Sequence, residues 1–313
     1  MQEYFAGFDI GGTHARMVVT TADRQQTWHF EGEGCTLNAV PMEVCRQRYG
    51  DLAAQATREL GASPESFLGV CAAVSGVDSQ ELRAACHQLF VQIGFPWQSL
   101  SIVNDCEVFL AAEDKPQAMV IVGTGSIAMA KDSAGQLHRK GGWGWLLSDE
   151  GSAYDIGMDV LRAVGNSLDG REQCPMLTRE LREVYPVKDG LSLNAYAVEH
   201  ISDKPAVARF AVVAAKAAEA GDPVARRILD RSAASAYALI RDLMLAMPTQ
   251  DAARMLKERT PVLLWGSVLV QNRYVSQHLA ALLEDQLGLS TAFPDTDALH
   301  MALRIAQNMR RKG

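Results

Sequence analysis

Residues 4–10 and 15–21 form two nearly continuous apolar runs, joined through Gly11-Gly12-Thr13-His14. Apolar runs of that length bounded by glycine predict buried strands, and two of them around so short a connection predict a hairpin. The pattern recurs later in the chain, where apolar residues 118–122 break into Gly123-Thr124-Gly125 and resume as 126–131. Each hairpin leads to a turn signal, Ala22-Asp23-Arg24 in the first and Asp132-Ser133-Ala134-Gly135-Gln136 in the second, and then to a third predicted strand, 26–31 or 137–139. The two openings do not align residue by residue, so what repeats is topology.

Between the hairpins the apolar spacing changes. It predicts a helix over 39–60, a strand over 67–74, a helix over 80–90, a short strand over 101–103 and a further helix just after Asp105. The second half continues into alanine-rich amphipathic runs, 206–220 and 224–247, divided by Gly221-Asp222-Pro223. Their apolar spacing suits packed helices. Strands alternating with helices predict an α/β fold. At 313 residues and 48% hydrophobic content, the chain carries enough apolar side chains for two cores. The polar, proline-containing stretch Asp114-Lys115-Pro116-Gln117 marks the boundary between them.

Charge and cysteine usage narrow the partners. A net charge of −7 leaves no basic footprint for nucleic acid or an anionic membrane. Met1-Gln2-Glu3-Tyr4 enters the first strand without a signal-peptide pattern, and no apolar run is long enough to span a bilayer, so a cytoplasmic location is expected. Cys35, Cys45, Cys71, Cys86, Cys106 and Cys174 show neither a C-x-x-C pair nor zinc spacing. They are expected to be reduced and mostly packed as small hydrophobes.

Both glycine loops suit phosphate. Adjacent glycines let the backbone turn with φ > 0 and expose N–H groups to an anion, and Asp9 offers a carboxylate where a hydrated magnesium would sit. An ordinary tight hairpin explains the first loop equally well; a second loop of the same build tips the balance toward two lobes gripping one nucleotide. Neither loop carries the lysine of a P-loop or opens a helix as a dinucleotide loop does. Asn104-Asp105 closes a short apolar strand ahead of a helix. The aspartate is either a helix cap or a catalytic carboxylate at the C-terminal end of a strand.

Taken in order, these motifs resemble the sugar kinase, heat-shock protein 70 and actin superfamily, and within it the branch of N-acetylglucosamine kinases, glucosamine kinases and BadF/BadG-type ATPases. The most diagnostic segment is Arg139-Lys140-Gly141-Gly142-Trp143-Gly144-Trp145-Leu146-Leu147-Ser148-Asp149-Glu150-Gly151-Ser152. Leu263-Leu264-Trp265-Gly266-Ser267-Val268 resembles the adenosine loop of that superfamily, and Asp297-Ala298-Leu299-His300-Met301-Ala302-Leu303 its closing helix. The resemblance implies two ribonuclease H-like (actin-like ATPase) lobes with an interlobe cleft, over residues 1–115 and 116–295, and a helix in 296–313 that returns to the first lobe. It also implies ATP and Mg2+ as partners, an amino-sugar acceptor and a homodimer.

On this resemblance Asp9, Gly11, Gly12, Thr13, Gly123, Thr124 and Gly125 hold the phosphates, with Asp9 reaching magnesium through water. Gly266 and Ser267 hold the adenosine, and Asp105 is the base for a sugar hydroxyl. Asn38, Asn104, Gly142, Trp143, Gly144, Asp149 and Glu150, together with Asp105, meet the sugar. Other readings stay open: Arg16 steadies a phosphate or forms a surface ion pair, Trp143 and Trp145 are core residues, and Asp149 caps a helix starting near Gly151. Ser148 and Ser267 stand where glycine is usual in the branch. The iron–sulfur cysteine motif of the dehydratase-activating ATPases is missing, as is the zinc segment of the glucokinases that share the Asp-Ile-Gly-Gly-Thr opening. The expected activity is phosphorylation of N-acetylglucosamine or glucosamine; an ATPase driving a partner protein and a non-catalytic sugar sensor are the alternatives.

Overall fold

The computed structural model describes residues 2–112 and 115–309, so the boundary expected at Asp114-Lys115-Pro116-Gln117 and the outer ends of the 1–115 and 296–313 segments lie partly outside the described residues. The chain divides into two compact units, one made of the residues before 115 together with those from 295 onward, the other of 115–294.

The first unit opens with β1 (Tyr4–Ile10), β2 (His14–Thr21) and β3 (Thr27–Glu33), paired antiparallel in turn. Then come α1 (Met42–Leu60), β4 (Phe67–Val74), α2 (Gln80–Gln92), β5 (Leu100–Asn104) and the short α3 (Val108–Ala111). β4 pairs parallel with β1 and β5 parallel with β4, giving the order β3-β2-β1-β4-β5. Parallel neighbours run the same way, so the C-terminal ends of β1, β4 and β5 arrive at one edge. Their register puts Ile10, Val74 and Asn104 in one row. Gly11, Ser75 and Asp105 are the next residues outward. Behind that row, Phe8 meets Phe90 and Phe95 edge-to-face at 5.2 and 5.9 Å between ring centroids, contacts that add about 0.5–1.5 kcal/mol each beyond the area they bury.

The second unit opens the same way, with β6 (Gln117–Val122), β7 (Ser126–Lys131) and β8 (Leu137–Gly141). A helical stretch follows: α4 (Ala153–Leu168), α5 (Pro175–Val184), α6 (Gly190–His200), α7 (Lys204–Ala208), α8 (Phe210–Glu219), α9 (Pro223–Ala246) and α10 (Thr249–Glu258). β9 (Val262–Trp265), α11 (Ser267–Gln271), α12 (Arg273–Leu287) and β10 (Thr291–Ala292) complete it. The strand order, β10-β9-β6-β7-β8, repeats that of the first unit, with β9 parallel to β6 and β10 parallel to β9.

Two expectations change. The predicted helix over 206–220 is split at Arg209 into α7 and α8, although Arg209 keeps helical dihedrals of φ −58° and ψ −24°. The Val212 N–H reaches back only to Arg209 O (3.2 Å), so the ladder tightens there without changing direction. The helix after Asp105 is four residues long and is preceded by Glu107, with no side-chain cap bond. Asp105 is therefore not its cap.

The chain ends the described region with α13 (Ala298–Met309), which packs on β1 and β4. Glycines in both strands admit it: a Cβ on Gly7 would lie 2.5 Å from Leu303 N, and one on Gly69 2.3 Å from Ala306 O. All six cysteines are free, with Cys106 half-buried and the other five buried. Among the described residues no helix is long and apolar enough to cross a membrane. Gly7→Ala is expected to lower stability in urea denaturation by about 2–3 kcal/mol through overpacking. Gly12→Ala, where a Cβ meets nothing within 4 Å, is expected to cost little in the same measurement.

Candidate functional site

At the edge of the first sheet, the Ser75 N–H donates to Ile10 O (2.9 Å) and extends the row of strand ends by one residue. The Ser75 hydroxyl donates to the Asp105 carboxylate. Asp105 Oδ1 also accepts the Cys106 N–H (2.9 Å). Burial pushes the Asp105 carboxyl above the usual aspartate value; the bonds from Ser75 and Cys106 pull it back, and nearby Asp9 adds to the rise. Asn104 is held at both ends of its amide: Nδ2 donates to Asp78 Oδ1 (3.0 Å) and Oδ1 accepts the Cys106 N–H (2.9 Å). Asn38 is exposed, takes a hydrogen bond from Thr36 Oγ1 (2.7 Å), and rests its amide against Gly76, next to Ser75.

Asp9 and Arg16 are cross-strand partners in the β1–β2 pair. Arg16 Nη2 lies 2.6 Å from Asp9 Oδ2 and Nη1 3.3 Å from Asp297 Oδ2, so the guanidinium bridges the loop to the start of α13. The ion pair expected of Arg16 as one of its two readings is present, to two carboxylates. Asp9 Oδ1 has no protein partner among the described residues. Gly11 spends its N–H on His14 O (2.9 Å) inside the loop, and neither Gly11 nor Gly12 takes the positive φ expected of the pair, the hairpin being closed by that bond instead. Gly12 and Thr13 are exposed, and their N–H groups have no partner among the described residues. Also among the described residues, no group of three or more His, Cys, Asp or Glu could hold a metal by itself. One open carboxylate oxygen beside a phosphate loop suits magnesium, which keeps most of its waters and binds nucleotide through few protein ligands.

In the second unit, Gly123 likewise spends its N–H within its loop, on Gly125 O (2.9 Å), and Thr124 and Gly125 have no N–H partner among the described residues. The loop is tied to the Gly-Gly-Trp-Gly segment and to α4. Gly142 N donates to Ser126 O (3.0 Å), Ala153 N to Gly123 O (2.8 Å), and Ser126 Oγ to Glu150 O (2.9 Å). The N-cap of α4 is Ser152, whose Oγ accepts the Asp155 N–H (3.2 Å), so Asp149 does not cap that helix. Asp149 is 4% exposed at φ +71°. Its Oδ1 accepts the Ser126 N–H (3.1 Å), and its Oδ2 pairs with Lys204 Nζ (3.3 Å). Glu150 is exposed.

Trp143 is 66% exposed, which removes it from any core, and Arg139 Cζ sits 4.1 Å from the centre of its ring. Arg139 also donates to Gly142 O (2.7 Å) and Gly141 O (3.3 Å). One indole face is thus capped by a cation held to the loop. Gly144 is at φ +86°. Trp145 is half-buried against Tyr154, 5.3 Å between ring centroids. Ile121 faces Trp265 in the β6–β9 register, which brings Gly123 close to Gly266 and Ser267, where α11 begins. A cavity of about 210 Å³ beside Ser267 is lined by Val268, Gln271, Ala208 and Val212 among others.

The structure thus gathers Asn38, Asn104, Asp105, Asp9 and the Gly11–Thr13 turn in the first unit. The second gathers Gly123, Thr124, Gly125, Gly142, Trp143, Gly144, Asp149, Glu150, Gly266 and Ser267. Sequence reasoning missed Ser75, Asp78, Arg139, Lys204 and Asp297 as partners of these groups. Ser75-Gly76 does follow an apolar strand just as Gly11-Gly12 does, a signal that was present. Lys204 lies 55 residues from Asp149, and nothing local announces the pair.

Repeated five-stranded mixed sheets with matching glycine loops define an α/β protein of the ribonuclease H-like, actin-like ATPase class. Residues 6–291 match the BadF/BadG/BcrA/BcrD ATPase family, and the chain belongs to that family. It is 27% identical over 251 residues to an N-acetylmuramic acid/N-acetylglucosamine kinase of Clostridium acetobutylicum, covering 80% of this chain and 82% of that one. It is also 27% identical over 257 residues to an N-acetyl-D-glucosamine kinase of Dictyostelium discoideum, covering 78% and 80%. A crystal structure of a candidate N-acetylglucosamine kinase from Chromobacterium violaceum shares the fold, with a TM-score of 0.74 at 24% identity over 97% of this chain and 99% of that one.

Arg139→Met removes the cap from the Trp143 ring. The tryptophan emission is expected to shift to longer wavelength and acrylamide quenching to increase, and a Trp143→Phe background should abolish both changes.

Proposed function

We propose that this chain is an ATP-dependent kinase for an amino sugar or its N-acetyl derivative, most simply N-acetylglucosamine or glucosamine. Asp105 carries the proposal: its carboxylate stands beyond the end of a parallel strand beside the first glycine loop, desolvated, hydrogen-bonded by Ser75, and spent on no helix cap. Membership of an ATPase family and the names of two relatives support the same activity. Phosphoryl transfer asks a protein chiefly for positioning and charge neutralisation.

The free N–H groups of Gly12, Thr13, Thr124 and Gly125 would take phosphate oxygens, while Gly11 and Gly123 fix the shape of their loops. Asp9 would face magnesium through water, and Gly266 and Ser267 would hold the adenosine beside their cavity. Bound magnesium–ATP supplies the phosphoryl group. Asp105 accepts the hydroxyl proton as the sugar oxygen bonds to phosphorus and ADP departs. Asn38 and Asn104 orient the sugar; Gly142, Gly144, Asp149 and Glu150 meet its hydroxyls, and the uncapped face of Trp143 meets its apolar face. The proposal extends to a small-molecule sugar partner, a cytoplasmic location and a homodimer.

A hexosamine panel with ATP, read as ADP release and sugar phosphate formed, is expected to show sugar-dependent turnover. Equal ADP release with and without sugar would sink the kinase and favour an ATPase that drives a partner. Asp105→Asn is expected to lower kcat by about 10²-fold or more, the usual span for a lost general base, with sugar binding retained.

The raised carboxyl of Asp105 also sets two pH effects. A base works ionised, so kcat/KM should fall as pH drops through a value above the ordinary ~3.9 of aspartate. Ser75→Ala removes a hydrogen bond to the ionised form and should move that limb upward. A group whose pKa is raised by folding stabilises the fold fully below its unfolded pKa and loses that contribution as pH rises through the folded one. Asp105→Asn should therefore raise the melting temperature at neutral pH.

A further inference from the structure

We propose that Lys204 is a positioning residue for nucleotide: it compensates the Asp149 carboxylate behind the 123–126 loop, so that the loop's free N–H groups meet a phosphate with no net negative charge at their back. This deepens the proposed kinase activity and rests on it.

Asp149 is placed at this loop by three independent features. Its oxygens are where they would meet a Cβ on Gly125 at 2.9 Å, so only glycine lets loop and carboxylate approach so closely. Its Oδ1 takes the Ser126 N–H. Its backbone stays at φ +71°, a region that residues other than glycine rarely adopt. The side chain is 4% exposed, and a carboxylate so buried is tolerated when paired.

The cation it pairs with is Lys204 at the start of α7, Nζ to Oδ2 3.3 Å. A phosphate reaching the N–H groups of Thr124 and Gly125 would otherwise meet a like charge at short range, in surroundings that screen poorly. With Lys204 in place the carboxylate still fixes Ser126 while its charge is offset. A merely structural tie between α7 and the loop would affect folding and leave nucleotide affinity alone.

Calorimetric titration with AMP-PNP and magnesium separates these. The proteins are the parent, Lys204→Gln, Lys204→Arg and the double variant Lys204→Gln/Asp149→Asn, whose introduced amide oxygen keeps an acceptor for the Ser126 N–H. Lys204→Gln should bind about tenfold more weakly, as expected for a stranded buried charge. Its KM for ATP should rise in step, with kcat changed much less. Lys204→Arg should stay within about threefold, since the charge is kept. The double variant should recover most of the lost affinity. Binding is its readout, because Asp149 is also proposed to meet the sugar.

Lys204→Gln as tight as the parent, or the double variant as weak as Lys204→Gln, overturns the role of Lys204. A parent that binds no AMP-PNP overturns the kinase itself. Should Lys204→Gln fail to fold, the other two decide: parent-like affinity in both supports compensation, and a tenfold loss in either sinks it.

Discussion

Parallel pairing is the constraint on which the rest of the structure depends. Because β1, β4 and β5 run together with Ile10, Val74 and Asn104 in register, the residues just past them, Gly11, Ser75 and Asp105, have to emerge side by side. Strand pairing and strand length suffice to assemble that edge. In the second unit, pairing of β6 with β9 brings Gly123 to Gly266 and Ser267 by the same means. At Gly266, where a Cβ would lie 2.4 Å from Val122 O, the close approach of backbone to backbone requires glycine.

Charge compensation then separates the acidic residues. Asp9 has Arg16, which also holds Asp297 at the start of α13, and Asp149 has Lys204. Asp105 takes hydrogen bonds from Ser75 and the Cys106 N–H, and among the described residues no cation pairs with it. Desolvation makes the Asp105 carboxyl hold a proton more readily than an ordinary aspartate, as suits a base. The proton acceptor in the proposed reaction is thus a desolvated acid held by hydrogen bonds.

Legibility in the sequence followed the range of the interaction. β1, β4 and β7 were predicted to the residue because an apolar run bounded by glycine, a hydroxyl residue or a charged turn is a local signal. The glycine loops and Asn104-Asp105 were legible for the same reason. The break at Arg209 was not, since its dihedrals stay helical and only the hydrogen-bond ladder shifts. Nor did the sequence separate cap from site at Asp105 and Asp149. That took the observed starts of α3 and α4, at Glu107 and Ser152. Arg139 over Trp143 and Lys204 on Asp149 arise from loop geometry and from helix placement, which no spacing rule encodes.

The two hairpins share a topology and a device but differ in what stands behind the turn. In the first, the last polar side chain of β1 is Asp9, on the sheet face that α13 covers, and its charge is met by an arginine on the adjacent strand. In the second, β6 ends in Val120, Ile121 and Val122 with no acidic residue, and the carboxylate comes instead from Asp149, far along the chain. The acidic group within the strand keeps one oxygen open beside its turn, whereas the one packed under the second loop bonds the Ser126 N–H and Lys204. The duplicated topology therefore carries two unlike turns: in the first unit one backed by a carboxylate and an arginine of the sheet itself, and in the second one backed by a buried carboxylate paired with a lysine from outside the sheet.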